Sequence, residues 1–220
     1  KSIEVRNFKS LVDFHLDLAK FNCLIGLNGS GKSTVLQFMD FLSQLMRGKM
    51  SEWLDERQWQ ASDLRSKISK KKNIEFCIRF ADENEKDSGR WDAHYSPTLH
   101  RCTWERMDLY DSVLEIKKNK IEFFNIPSDS KSWMQVVRFN YEGSVLSLIG
   151  NEWLPPSIEK CKELFLHTES LDMLTPERLR QQSISATGSL GHGGRNLSAF
   201  IYEMGRNGRL ALAKKLKKQY

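Results

Sequence analysis

Nine residues, GLNGSGKST from Gly26 to Thr34, fit the spacing G-x-x-x-x-G-K-[S/T]. Such a loop can wrap the phosphates of a nucleotide, because its backbone N–H groups converge on the anion. Gly26, Gly29 and Gly31 are expected to supply φ > 0 where the turn needs it and to leave no Cβ in the way. A helix starting near Lys32 adds unpaired N–H groups and the positive end of its dipole. Lys32 then reaches the β- and γ-phosphates, and the Ser33 hydroxyl sits on Mg²⁺. Asn28, Ser30 and Thr34 complete the candidate contacts, so the expected ligands are ATP and Mg²⁺.

The loop works only if its flanks hold it. FNCLIG, Phe21 to Gly26, is a short apolar run that predicts a buried strand, and KSTVLQFMDFLSQLM, Lys32 to Met46, predicts a helix. On that helix Val35, Leu36, Met39, Leu42, Leu45 and Met46 recur at three- and four-residue spacing, the mark of one face packed on a sheet. Upstream, Ile3 and Val5, then Val12, Phe14, Leu16 and Leu18, alternate with polar residues as an antiparallel strand pair would.

The 220 residues are 40% hydrophobic and 28% charged, the balance of a globular chain that can bury a core. No apolar run approaches the roughly 18 residues that cross a bilayer, and the opening KSIEVRNF is a charged strand pattern, so no membrane role and a cytoplasmic location are expected. Cys23, Cys77, Cys102 and Cys161 are far apart and predict buried, reduced thiols. The five histidines form no metal-ligand pattern, so no metal is expected beyond the Mg²⁺ of the nucleotide. The net charge of +6 leans toward anionic partners.

Residues 51 to 72 are polar and read as helical around Trp53 and Trp59, with Lys70 to Lys72 at the helix C-terminus. From Asn73 the period changes to two: Ile74, Phe76, Ile78 and Phe80 share a face, VLEIKKNKIEFFN reads as a hairpin turning near Lys118 and Asn119, and WMQVVRFNY adds a strand. These are antiparallel features, whereas a nucleotide-binding sheet alternates strand with helix. The predicted fold is therefore α/β: a P-loop NTPase core, which the resemblance described next marks as ABC-ATPase-like, an inserted antiparallel β lobe and a helical lobe. The expected boundaries are 1–50 for the start of the core, 51–150 for a helix and the lobe, and 151–220 for a helical segment after Pro155 and Pro156.

VRNFKSL, Val5 to Leu11, followed by NCLIGLNGSGKST, resembles the opening of the ABC-type ATPases that act on DNA: the RecF and SMC group and the OLD-like ATPases, AAA-family proteins of the kind found in bacterial anti-phage defence. There a strand of the form I-x-N-F-[KR]-S precedes a loop G-x-N-G-[SA]-G-K-[ST]. PERLRQQSISATGSLGHGGRNLSAFIYEM, Pro176 to Met204, is similar to the OLD-like segment R…L-G-x-x-G-x-N-L-x-x-[FL]. Read for itself, that stretch is a glycine approach (Gly191, Gly193, Gly194), a capping Asn196 and a helix face of Leu197, Phe200, Ile201 and Met204, with Arg178, Arg180 and Arg195 near an anion or simply solvated. The resemblance implies ATP-driven closure of paired heads, a homodimer or higher oligomer, which controls a DNA-directed effector such as a fused or separate nuclease. Asn28 would contact nucleotide across the pair.

The family's hydrolytic parts are missing here: an apolar strand ending in Asp-Glu, the serine-glycine signature and the switch histidine. SVLSLIGNEW ends instead in Gly150, Asn151 and Glu152. In the family those parts lie downstream, so the resemblance implies a core that continues past Tyr220, with ATPase activity only in the longer protein. The alternatives are a hydrolysis-dead nucleotide sensor and the nucleotide-binding subunit of a membrane transporter. An L-S-G-G-Q sequence would favour the transporter, and none is present. The tail RLALAKKLKKQY reads as a basic amphipathic helix.

Overall fold

The alternation over the first residues produces a hairpin, and the hairpin is the edge of a large sheet. In the computed structural model, which describes residues 1–82, 84, 86–117, 120–125, 133–136, 140–168, 194 and 196–219, β1 (Ser2–Phe8) pairs antiparallel with β2 (Leu11–Asp17), setting Val5 opposite Phe14. The other edge of β1 takes β3 (Ile74–Ala81), with Ile3 opposite Ile78 and Val5 opposite Phe76. A meander follows: β4 (Asp87–Ser96), β5 (Arg101–Leu109), β6 (Ser112–Lys117), β7 (Lys120–Asn125) and β8 (Trp133–Val136). The order is β2-β1-β3-β4-β5-β6-β7-β8, and every pairing is antiparallel. The strands from Asn73 on thus extend the sheet begun before the glycine loop and share its core.

Three helices of this unit supply the rest of that core: α1 (Lys32–Arg47), α2 (Met50–Arg57) and α3 (Pro156–Leu166). The buried side of α1 is Val35, Phe38, Phe41, Leu42, Leu45 and Met46. Phe41 meets Tyr95 at 5.0 Å and Phe76 meets Trp91 at 4.9 Å, both edge to face, the geometry that opposed ring quadrupoles prefer, and Phe41 meets Phe8 at 5.3 Å with the rings tilted. Each fully buried aromatic or aliphatic side chain removes about 1.5–3 kcal/mol worth of apolar surface from water. Phe165 of α3 closes on Trp91 at 5.1 Å, and Pro156 occupies the first turn of that helix, where its missing N–H costs nothing.

Several expectations are corrected. Leu36 of α1 faces solvent and Met39 is half-buried; Phe38 and Phe41, one helical step away, carry the packing instead. The helix predicted over 51–72 ends at Arg57, where Gln58 takes a left-handed φ of 55°, and a single 3₁₀ turn at Ala61–Leu64 follows. Lys70 to Lys72 therefore lie on a loop entering β3, not at a helix C-terminus. Cys102 is buried and Cys77 and Cys161 are half-buried, but Cys23 is exposed; all four are free thiols. Burial pushes Cys77 up to about 12, with Asp92 adding to the effect, and Cys161 up to about 11, so neither is a reactive thiolate. As its sequence implies, SVLSLIGNEW is no hydrolytic strand: it forms two 3₁₀ turns, Val145–Ser147 and Asn151–Trp153.

The compact units are Lys1–Glu169 and Ser170–Tyr220. In the second, α4 (Leu197–Glu203) and α5 (Gly205–Gln219) are described. Asn196 stands at the N-cap of α4 without a capping side-chain bond, and only Ala199 of that helix is buried. On α5, Leu210 and Leu216 are exposed beside Lys214, Lys215, Lys217 and Lys218. Arg178, Arg180, Gly191, Gly193 and Arg195 lie outside the described residues.

Candidate functional site

The residues singled out by spacing, Gly26, Asn28, Gly29, Ser30, Gly31, Lys32, Ser33 and Thr34, lie on one loop and the first turn of α1. The turn depends on glycine at two of its three glycine positions. Gly29 has φ 80° and Gly31 φ 93°, both left-handed, and Gly31 is the N-cap of α1. Gly26 differs from expectation, since its φ is not positive; a Cβ there would instead meet Ser30 Oγ at 2.9 Å.

The loop is closed over its own lysine. Lys32 Nζ donates to the carbonyl oxygens of Gly26 at 2.8 Å and Leu27 at 2.7 Å, and to Ser30 Oγ at 3.3 Å. The ammonium thus lies against the inside of the turn, next to the first N–H groups of α1, which have no intrahelical partner. No acidic residue occupies the first turn of α1 to neutralise them. A cation, unpaired N–H donors and a helix dipole converge, which is the donor set for a phosphate chain. The exposed Ser33 hydroxyl at the second helical position is of the type that reaches a phosphate-bound Mg²⁺. The residues present fit both groups.

A second contact to the loop comes from the β1–β2 turn. Ser10 Oγ donates to Thr34 Oγ1 at 2.9 Å, and a Cβ on Gly31 would meet Ser10 Oγ at 3.1 Å. Lys9 Nζ donates to Gln37 Oε1 at 3.0 Å and sits 3.0 Å from the centre of the Trp59 ring. The sequence signal for this support is the stretch NFKS, whose loop-buttressing role its spacing does not announce.

The strand expected at Phe21–Gly26 is not formed. The segment has no sheet partner among the described residues, and Phe21, Ile25 and Leu27 are 83%, 91% and 86% exposed. Extended backbone becomes a strand only when a neighbour takes its N–H and C=O groups.

The buried carboxylates of this unit are committed elsewhere. Asp40 of α1 accepts from Trp53 Nε1 at 2.7 Å and pairs with Arg57 at 2.6 Å. Glu105 accepts from Trp91 Nε1 at 2.8 Å, Ser144 Oγ at 2.5 Å and Val145 N–H at 3.1 Å; burial lifts its carboxyl to about 6 against those three bonds. Among the described residues no three His, Cys, Asp or Glu side chains gather as a metal site, and no helix is long and apolar enough to cross a membrane. The arrangement suits binding; the groups that would activate a water are not among those described around the loop.

No curated protein matches the sequence. The family model described as AAA ATPase domain matches residues 1–148, which contain β1, β2, the glycine loop, α1 and the meander. The chain belongs to the AAA ATPase domain family, whose members are nucleotide-binding ATPases that typically use ATP with Mg²⁺.

Proposed function

We propose that this chain is the ATP-binding part of an OLD/RecF/SMC-like switch that controls a DNA-directed effector, such as a nuclease, in the cytoplasm, with anti-phage defence as the setting. The observation that carries the reading is the loop itself: left-handed Gly29 and Gly31 curl it around Lys32 at the N-terminus of α1. In this reading the loop N–H groups and Lys32 hold the phosphates of ATP, Ser33 holds Mg²⁺, and Asn28 faces the nucleotide of a paired head. Binding exchanges the carbonyl partners of Lys32 for phosphate oxygens, a stronger, charge-assisted contact. The exposed Phe21, Ile25 and Leu27 support a core that continues, since further strands would give this stretch the hydrogen-bonding neighbours a sheet needs. Those strands would also bring the hydrolytic carboxylates.

Titration calorimetry with MgATP tests the binding step. Lys32→Ala should weaken affinity at least about tenfold, as expected for loss of a charge-assisted contact, with an unchanged unfolding transition. Equal affinity in the variant would remove the loop from the site.

A further inference from the structure

We propose that the loop between the 3₁₀ turn at Ala61–Leu64 and β3 is a docking cleft for the phosphodiester backbone of a nucleic acid. The inference rests on the DNA-directed reading above and assigns that partner a surface. The loop encloses an open cleft of about 350 Å³ walled by Arg65, Lys67, Lys70 and Lys71, by three serines and by Asp63. Four cations against one carboxylate is a strong local excess, and Asp63 already accepts from the N–H of Gln60 at 2.9 Å. Lys71 is paired with Glu75 at 2.6 Å. Arg65, Lys67 and Lys70 form no ion pair with a described carboxylate. Like charges left unneutralised in so short a loop repel one another, and a polyanion removes that repulsion while releasing its own counterions.

The cleft is built, not merely charged. Asn7, fully buried and held at a left-handed φ of 67°, pins both ends of the loop. Its Nδ2 donates to the carbonyls of Lys71 at 2.9 Å and Asn73 at 2.8 Å, while its Oδ1 accepts from Ser66 N–H at 3.2 Å. Lys9 N–H donates to Leu64 O at 2.9 Å, fixing the entry. A pinned loop presents its cations without having to order first, which lowers the entropy lost on binding. The partner is a phosphate chain rather than a single nucleotide: the walls are polar and open, no aromatic lines them to stack an enclosed base, and the basic run continues past the cleft to Lys72. Ile68, 82% exposed among the cations, offers apolar contact to a sugar.

The position also ties the cleft to the nucleotide loop. From Asn7 the chain runs in three residues to Ser10, which holds Thr34 at the start of α1. Occupancy of either site bears on the same turn.

The test is fluorescence anisotropy of the 220-residue chain with labelled single-stranded and duplex DNA of about 20 nucleotides over a salt series starting near 50 mM. The paired change Lys67→Gln with Lys70→Gln is compared with the charge-matched Lys214→Gln with Lys217→Gln on α5. The cleft variant should bind about tenfold more weakly and flatten the slope of log K against log salt by about 2, while keeping MgATP affinity by calorimetry. Unchanged binding in the cleft variant, or an equal loss in both variants, overturns the cleft and leaves nucleic acid as the partner. No binding by the unaltered chain at the lowest salt overturns the partner as well.

Discussion

Phe21–Gly26, a nearly continuous apolar run, and Ile74–Ala81, apolar on every second residue, are both predicted strands, and they meet opposite fates. The second is β3, hydrogen-bonded on both edges by β1 and β4, with Ile74, Phe76 and Ile78 no more than 5% exposed. The first lies mostly exposed just before the glycine loop, with only Leu24 of it partly packed against the core. Both carry enough apolar side chains for burial; what differs is the company. An apolar run states that a segment wants burial, and a strand exists where some other segment supplies the edge.

The sharpest way to break this comparison is to truncate one residue in each stretch and measure urea unfolding. Phe76 packs edge to face on Trp91 at 4.9 Å and Phe38 at 5.9 Å, so Phe76→Ala should cost about 3–5 kcal/mol through lost burial and a residual cavity. The pH response separates the two regions next. The paired sheet contains Glu105, whose carboxyl is raised from 4.5 to about 6 chiefly by burial. The folded state therefore holds that proton more tightly than the unfolded chain does. Its contribution is fully present below pH 4.5 and is lost as pH rises through 6, about 2 kcal/mol in total. Urea midpoints at pH 4.5 and 6.5 should show that decline, flattened in Glu105→Gln. The smallest effect belongs to the exposed segment: Ile25→Ser, at a residue 91% exposed, should change stability by less than about 0.5 kcal/mol. A cost approaching that of Phe76→Ala would mean the segment is buried in solution and the contrast is false.

The parts legible in the sequence are those where local chemistry suffices. Three glycines and a lysine at fixed spacing locate the loop, and the glycine pair at 29 and 31 adopts the angles their types permit. The α1 span and the alternation of β1, β2 and β3 follow from periodicity. The missing strand at Phe21–Gly26 was not legible, because it depends on a partner that no local pattern encodes. β4 and β5 are absent from the predicted strands because charged residues such as Arg90, Asp92, Arg106 and Asp108 occupy their outer face and break the apolar run. Nor does the polarity of 51–72 distinguish a helix from the pinned loop that forms. That difference is made by Asn7, some 60 residues away along the chain and buried where a pattern reader would place an ordinary strand residue.

The two ends of α1 are held very differently. At its far end Gly143, with φ 73°, lies so close that a Cβ would come within 2.3 Å of Leu45 O, and Ser144 N–H donates to that same oxygen at 2.8 Å. Glu105 in turn holds Ser144 and Val145. At the near end the polar ties include the Ser10–Thr34 hydroxyl pair, the Lys9–Gln37 bond and the bonds of Lys32 to Gly26, Leu27 and Ser30. A rigid helix of 16 residues is a bar about 24 Å long. For a bar of that length a tilt of about 5° about one end would displace the other by about 2 Å, on the scale of a hydrogen bond. The registry of the helix that begins at Lys32 therefore depends also on the close approach allowed by a glycine more than a hundred residues downstream.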